Sequence, residues 1–364
     1  MQSAALDAPV IVMPVDAPPE SPVDAPPESP ADASSRPAHA AAGSGGGARR
    51  ATRIGLMSVS LGTAGLGGLW QSAAATVDAP LGVSDVLFVV SALAWVVLLA
   101  QYLRHGGARW RNVLDDLHHP GQGFALAYVP IIGMLTTGHF ARFGVDGARW
   151  AYALFALASA VIAARLLAHW VSGGLGAAPL HPGYLLPVVS GPFIASTTAS
   201  AVRLPDAAAA AFAVGVLYWL AFGTVVLGRL VAGGLPGPAR PTLTVLTIPP
   251  AVGGLAWTAA HGGRVDSVGQ GFAGLVLFTV LIVLFLVPHV RQDGFHVGYW
   301  VFSFPAAATG NFLVRWLHGA DVPGRQSLTW LVVALVSGAF LVLYAATLRY
   351  AVRAAGRHRA VADA

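Results

Sequence analysis

The 364 residues include no cysteine and no lysine. Without cysteine there are no disulfides, no thiolate nucleophile and no Cys-ligated metal. Charge of any kind is scarce, at 10% of residues, where soluble domains carry about 25%. The formal net charge of +5 therefore rests on arginine alone. Catalytic signatures are missing too. There is no Gly-rich phosphate loop, no H-E-x-x-H and no Gly-x-Ser-x-Gly. The twelve histidines are scattered. The adjacent pair His118 and His119 would project about 100° apart on a helix, a poor geometry for one metal. No enzyme activity, cofactor or metal is expected.

What is present is apolar. Hydrophobic residues make up 55% of the chain, and the mean hydropathy is +0.66. Apolar runs of roughly 20 residues recur, each long enough to cross a bilayer. The fold class this implies is an all-α integral membrane protein. A pI near 10.0 is a feature shared with nucleic-acid-binding proteins. The arginines, however, sit at the ends of apolar runs, where they act as topology determinants. The expected surroundings are a lipid bilayer, with no nucleic-acid partner.

Residues 1–50 read as a disordered Pro/Ala/Gly-rich tail. The octet from Val15 to Pro22 is repeated from Val23 to Pro30, and a Gly/Ser run follows at Gly43–Gly47. Such a segment cannot bury enough apolar surface to offset its ordering entropy. Its start carries acids and prolines rather than a basic region, so no cleavable signal peptide is expected. Residues 51–353 read as the membrane domain and 354–364 as a short cytoplasmic tail. Ten spans are expected, at about 54–73, 83–103, 121–141, 149–172, 184–202, 207–232, 241–261, 267–290, 295–317 and 326–350. Between the second and third, Arg109 to His119 reads as a short interfacial helix. With the N-terminus inside, most arginines fall on the inner side. Arg142, Arg149, Arg203, Arg264, Arg315 and Arg325 fall outside. That bias places both termini in the cytoplasm of a plasma (inner) membrane protein.

Proline follows a second alternation. Pro130 lies in the third span, Pro187 and Pro192 in the fifth, Pro249 and Pro250 in the seventh, and Pro305 in the ninth. The first span has Gly62, Gly65, Gly67 and Gly68 instead, and the even spans have no interior proline. Proline removes a backbone hydrogen bond and bends a helix. Irregular backbone is tolerated in a membrane only against protein or a water-filled cavity. The pattern predicts five tandem hairpins, each pairing one bent inner helix with one straight outer helix around a central pore.

The candidate inner helices contain almost no acid, so a proton relay has no evident residue there. Arg165, in the fourth span, can snorkel to the interface. His139, His261 and His318 read as hydrated outer span ends. Selectivity would fall to small polar groups, with Thr63, Thr136, Ser190, Thr247 and Ser303 as pore-lining candidates. The competing reading for most of them is helix–helix bonding. In Tyr299-Trp300-Val301-Phe302-Ser303-Phe304-Pro305, Phe302 and Phe304 point about 200° apart on a helix. Only one can face an axis. Phe304, directly before the proline, is the candidate gate, a ring that closes an apolar neck by steric block and dewetting. Phe302 is held in reserve, and Tyr299 and Trp300 read as an interfacial belt.

Four segments, in order and spacing, are similar to the tellurite-resistance/dicarboxylate transporter family. That family includes bacterial TehA-like proteins and the slow anion channels of plant guard cells. The segments are Leu61-Gly62-Thr63-Ala64-Gly65-Leu66-Gly67 through Trp70, Asp116-Leu117-His118-His119-Pro120 with Pro130 and Met134, Arg240-Pro241-Thr242-Leu243 with Pro249-Pro250-Ala251-Val252, and Trp300 to Pro305. The resemblance implies five hairpins around a pore, a homotrimer with one pore per subunit, and a phenylalanine gate that falls on Phe304. It implies small inorganic or organic anions as cargo, moved by a channel or uniporter. The alternative it implies is a proton-coupled carrier or exporter of C4-dicarboxylate, sulfite or tellurite.

Overall fold

The computed structural model describes residues 54–174, 176, 180–290 and 295–362. The chain divides into residues 1–41 and 42–364. The first unit lies outside the described residues, and so does the expected tail over 1–50.

Among the described residues there are eleven α-helices and no strand. They are α1 (Met57–Val77), α2 (Leu81–Tyr102), the short α3 (Trp110–Leu117), α4 (Tyr128–Phe140), α5 (Val145–Val171), α6 (Gly191–Ala201), α7 (Pro205–Gly233), α8 (Ile248–Ala260), α9 (Ser267–Val290), α10 (Ser303–Gly319) and α11 (Arg325–Ala362). Local chemistry fixes several ends. Asp78 adopts a left-handed conformation (φ 54°) as α1 stops. Proline opens α7 at Pro205, where its missing N–H costs nothing. The short α3 falls within the stretch read as interfacial.

Hydropathy and burial run in opposite directions. The spans Leu81–Gly107, Pro205–Gly233, Ser267–Val290 and Arg325–Arg353 have hydropathies of 2.1 to 2.6, yet only 11–17% of each is buried. Gly123–Phe143 and Ala239–Ala260 reach only 1.4 and are 67% and 78% buried. A water-soluble protein shows the reverse, with its most apolar helices inside. An apolar exterior fits lipid as the surrounding solvent, so the chain is a multi-pass membrane protein.

Seven helices are long and apolar enough to cross a membrane by length and composition, where ten spans were expected. The shortfall has a physical cause. The remaining inner segments are short or rich in Gly, Ser and Thr, because they pack against protein rather than lipid. Thus α6 has 11 residues and α10 has 17. The last span also differs at its end, since α11 stays helical to Ala362, through most of the stretch read as a tail.

The buried helices close a ring. α1 packs on α4, α4 on α6, α6 on α8, α8 on α10, and α10 back on α1. Each also packs on the helix that follows it, namely α2, α5, α7, α9 and α11. Small residues allow the closest approaches. A Cβ at Gly62 would collide with the Ser303 hydroxyl and lie 2.6 Å from Ser303 Cβ. A Cβ at Gly67 would lie 2.8 Å from the Phe88 ring. Polar side chains add hydrogen bonds across these seams. Ser60 Oγ donates to the Ser91 carbonyl at 2.7 Å, Ser91 Oγ donates to the Ser60 carbonyl at 2.8 Å, and Ser84 Oγ donates to the Gly67 carbonyl at 2.8 Å.

The proline-bearing spans are not single bent α-helices. Each begins in tighter or wider winding and turns α-helical at the proline. 3-10 winding over Gly123–Ala127 precedes α4 and Pro130. A π turn over Leu186–Ser190, holding Pro187, precedes α6 and Pro192. 3-10 winding over Gly237–Thr247 precedes α8 with Pro249 and Pro250, and the same over Val297–Phe302 precedes α10 and Pro305. Proline strips the preceding turn of its acceptor's partner, so that turn rewinds.

Gly62→Ala should therefore push α1 from α10 and destabilise the protein by about 1–3 kcal/mol, as overpacking does. Gly271→Ala, with open space around it on α9, should be neutral or stabilising. Thermal unfolding of the two variants in detergent checks this pair.

Candidate functional site

Two cavities lie along the inside of the helix ring. The wider, about 130 Å³, touches all five ring helices. α1 contributes Gly65 and Gln71, α4 contributes His139, α6 Thr197 and Thr198, α8 Val252, and α10 Phe304, Asn311 and Arg315. The narrower, about 10 Å³, is lined by Ser58, Tyr128, Ile248, Trp300, Phe304 and Pro305 among others. Phe304 is common to both and only 5% exposed. Its position follows from the local fold. It is the second residue of α10, directly after the 3-10 winding, and its ring rests on Gly65, where a Cβ would come within 3.0 Å of it.

Of the other aromatic rings in this stretch, only Trp300 also lines one of the two cavities, the narrow one. Phe302 lines neither cavity and stacks on Tyr299 at 5.5 Å. The Tyr299 hydroxyl donates to the Val290 carbonyl at 3.0 Å. Trp300 is not an interfacial residue, being 1% exposed with its Nε1 donating to Thr347 Oγ1 at 2.8 Å. Its bulk fills the seam between α10 and α11.

The pore-lining candidates are dispersed. Thr63 Oγ1 meets the Tyr344 hydroxyl at 2.6 Å and bonds the Val59 carbonyl, so it faces α11. Ser190, Thr247 and Ser303 bond back to the carbonyls of Leu185, Thr244 and Trp300. Thr136 Oγ1 is buried without a hydrogen-bond partner. None of the five lines either cavity. Of the prolines, Pro305 lines the narrow cavity, whereas Pro187 and Pro192 face a separate apolar cleft of about 320 Å³ between α5, α6 and α7. Pro130, Pro249 and Pro250 are buried and line neither axial cavity.

The polar groups at the wide end went largely unread. Arg315 Nε donates to Ser72 Oγ at 2.8 Å, and Ser72 Oγ donates to Asn311 Oδ1 at 2.5 Å. His139, read as a hydrated span end, is 2% exposed and stacks on Phe88 at 4.0 Å. Its Nε2 is 2.7 Å from Asp85 Oδ1, and Arg142 pairs with the same carboxylate. Its Nδ1 is 3.2 Å from Gln71 Oε1. With Nε2–H donated to Asp85, the imidazole can also donate to that carbonyl only when protonated. Residues 85 and 139 are too far apart in sequence for spacing to join them. Arg315 did leave a signal, because Phe304, Ala308, Asn311 and Arg315 recur at helical spacing on one face.

A model of the voltage-dependent anion channel family matches residues 52–348. The chain is also 24% identical over 273 residues to the tellurite resistance protein TehA homolog of Haemophilus influenzae, an overlap covering 74% of this chain and 83% of that protein.

The absence of native cysteine makes accessibility direct to measure. Added from the Arg142 side, a charged thiol reagent should modify Thr197→Cys in the wide cavity and spare Ser58→Cys in the narrow one. Combining Ser58→Cys with Phe304→Ala should restore modification. Equal rates at both sites in the parent chain would contradict a seal at Phe304.

Proposed function

Because the chain belongs to the voltage-dependent anion channel family, as the match over residues 52–348 establishes, we propose that it passes small anions across the membrane along the axis of its helix ring. Phe304 is the gate. The observation that carries this is its burial between the two axial cavities, with its ring on both. A phenyl ring across an apolar neck blocks an ion sterically and denies it hydration. The narrow cavity beside it is lined mainly by apolar side chains, among them Leu61, Phe124, Ile248 and Pro305, so little replaces the lost water. Phe302, packed on Tyr299, is the weaker candidate. The prolines shape the ring by ending the irregular winding in four of the five inner spans, and only Pro305 borders the path.

In this reading ten helices cross the bilayer as five hairpins. The chain sits in the plasma (inner) membrane with both termini cytoplasmic, in line with the arginine bias. Homotrimeric assembly remains an implication of the family resemblance.

A coupled carrier is favoured by one observation, the His139–Asp85 pair at the edge of the wide cavity, since such pairs can take up and release a proton. The two readings differ in driving force. A channel or uniporter gives anion flux set by voltage and anion concentration, whereas a coupled carrier gives saturable flux that collapses without a proton gradient.

Phe304→Ala should raise anion flux in proteoliposomes. If the ring contributes about 3 kcal/mol to the barrier, the rise is roughly a hundredfold. Background flux from correctly inserted Phe304→Ala protein would refute the gate assignment.

A further inference from the structure

The wide cavity holds one full positive charge that no acid neutralises. Arg315 lines it, and among the described residues its guanidinium pairs with no carboxylate. The nearby carboxylate, Asp85, is already engaged by Arg142 and His139. An arginine in a membrane-buried cavity is costly unless a counter-charge visits it.

The hydrogen-bond polarity of the wall points the same way. Arg315 Nε is a donor only, so Ser72 Oγ must accept from it and spends its own hydrogen on Asn311 Oδ1. That relay fixes the amide's orientation by occupying one lone pair of Asn311 Oδ1 and leaves its NH₂ group as a donor. It also fixes one edge of the guanidinium and leaves the two Nη groups as donors. Thr197 and Thr198 spend their hydroxyl hydrogens on the carbonyls of Phe193 and Met134 and offer an anion no donor, so the α10 groups carry the attraction. At this end of the cavity, α10 therefore presents donors and one full positive charge.

We propose that Arg315, oriented by Ser72, and the Asn311 amide form an anion-binding site in the wide cavity, separate from the gate and matched to a single negative charge. A monoanion neutralises the guanidinium. A dianion would leave one charge uncompensated in a poorly hydrated space, where charge imbalance is expensive. The inference rests on the reading of the cavity as an anion pathway, but the site can be measured without conduction.

The first measurement is thermal unfolding of the detergent-purified chain with sodium nitrate, sodium sulfate or sodium gluconate at equal ionic strength. Nitrate should stabilise the parent chain more than sulfate, which carries two charges, or gluconate, which is too bulky for a cavity of about 130 Å³. Arg315→Gln should abolish the difference, and Asn311→Ala should reduce it. The second measurement is nitrate flux in the Phe304→Ala background. There Arg315→Gln should raise the half-saturating nitrate concentration about tenfold, the scale of one hydrogen bond to a charged group. Arg315→Lys should fall between. If nitrate and gluconate stabilise the parent chain equally, or if Arg315→Gln leaves both readouts unchanged, the site is refuted. If Phe304→Ala does not conduct while nitrate stabilisation still depends on Arg315, the pathway reading fails and the site stands.

Discussion

The fold depends on how closely α1 and α10 approach. Their seam is built from residues with almost no side chain on one helix facing compact residues on the other. Gly62 lies against Ser303, and Gly65 against Phe304 and Ala307. Between helices in lipid there is no hydrophobic drive to squeeze them together, so packing and hydrogen bonds must do it. This seam completes the ring of buried helices. It also sets Phe304, whose ring lies on the bare backbone at Gly65. A methyl group at either glycine would widen the ring or move the phenyl group.

The same economy governs the rest of the interior. The outer helices carry the large apolar side chains, such as Val86, Leu93, Leu217 and Phe285, and turn them outward. The inner helices carry small and hydroxylated residues whose hydrogen bonds mostly return to nearby carbonyls. The lining near the neck is consequently short of polar groups, while the wide end gathers them. The proposed barrier and binding groups are thus segregated along α10, with phenylalanine near its start and arginine towards its end.

Fold class was legible because it follows from composition. Apolar runs, scarce charge and the alternation of proline between successive runs all report on solvent and packing, which act locally along the chain. The inner and outer roles of the spans could be read for that reason. The number of crossings was harder. A helix shielded from lipid needs neither the length nor the apolarity of an exposed one, and α6 and α10 lack one or both. Site residues were legible only where local spacing carried them. Phe304 could be singled out as the ring beside a proline. Thr63, Thr136, Ser190, Thr247 and Ser303 could not be assigned a face, because winding changes from 3-10 or π to α within several of these spans and shifts the phase of the pattern. The Asp85–His139–Arg142 cluster depends on tertiary contact between α2 and the end of α4, which no spacing encodes. Arg315 reads as a topology charge, since arginine near a span end usually is one, and its place on the wide cavity emerges only with the tertiary structure.

Arg315 lies eleven residues after Phe304 on one helix, a rise of about 16 Å. With the proposed gate at Phe304 and the proposed anion site at Arg315, the energy profile along the ring is lopsided, with a well towards one mouth and a barrier displaced towards the other. An anion arriving from the arginine end is concentrated before it meets the phenyl ring. One arriving from the opposite end meets the ring with no such reservoir behind it. Such a profile rectifies, so that equal and opposite voltages drive unequal currents without any moving part beyond the ring.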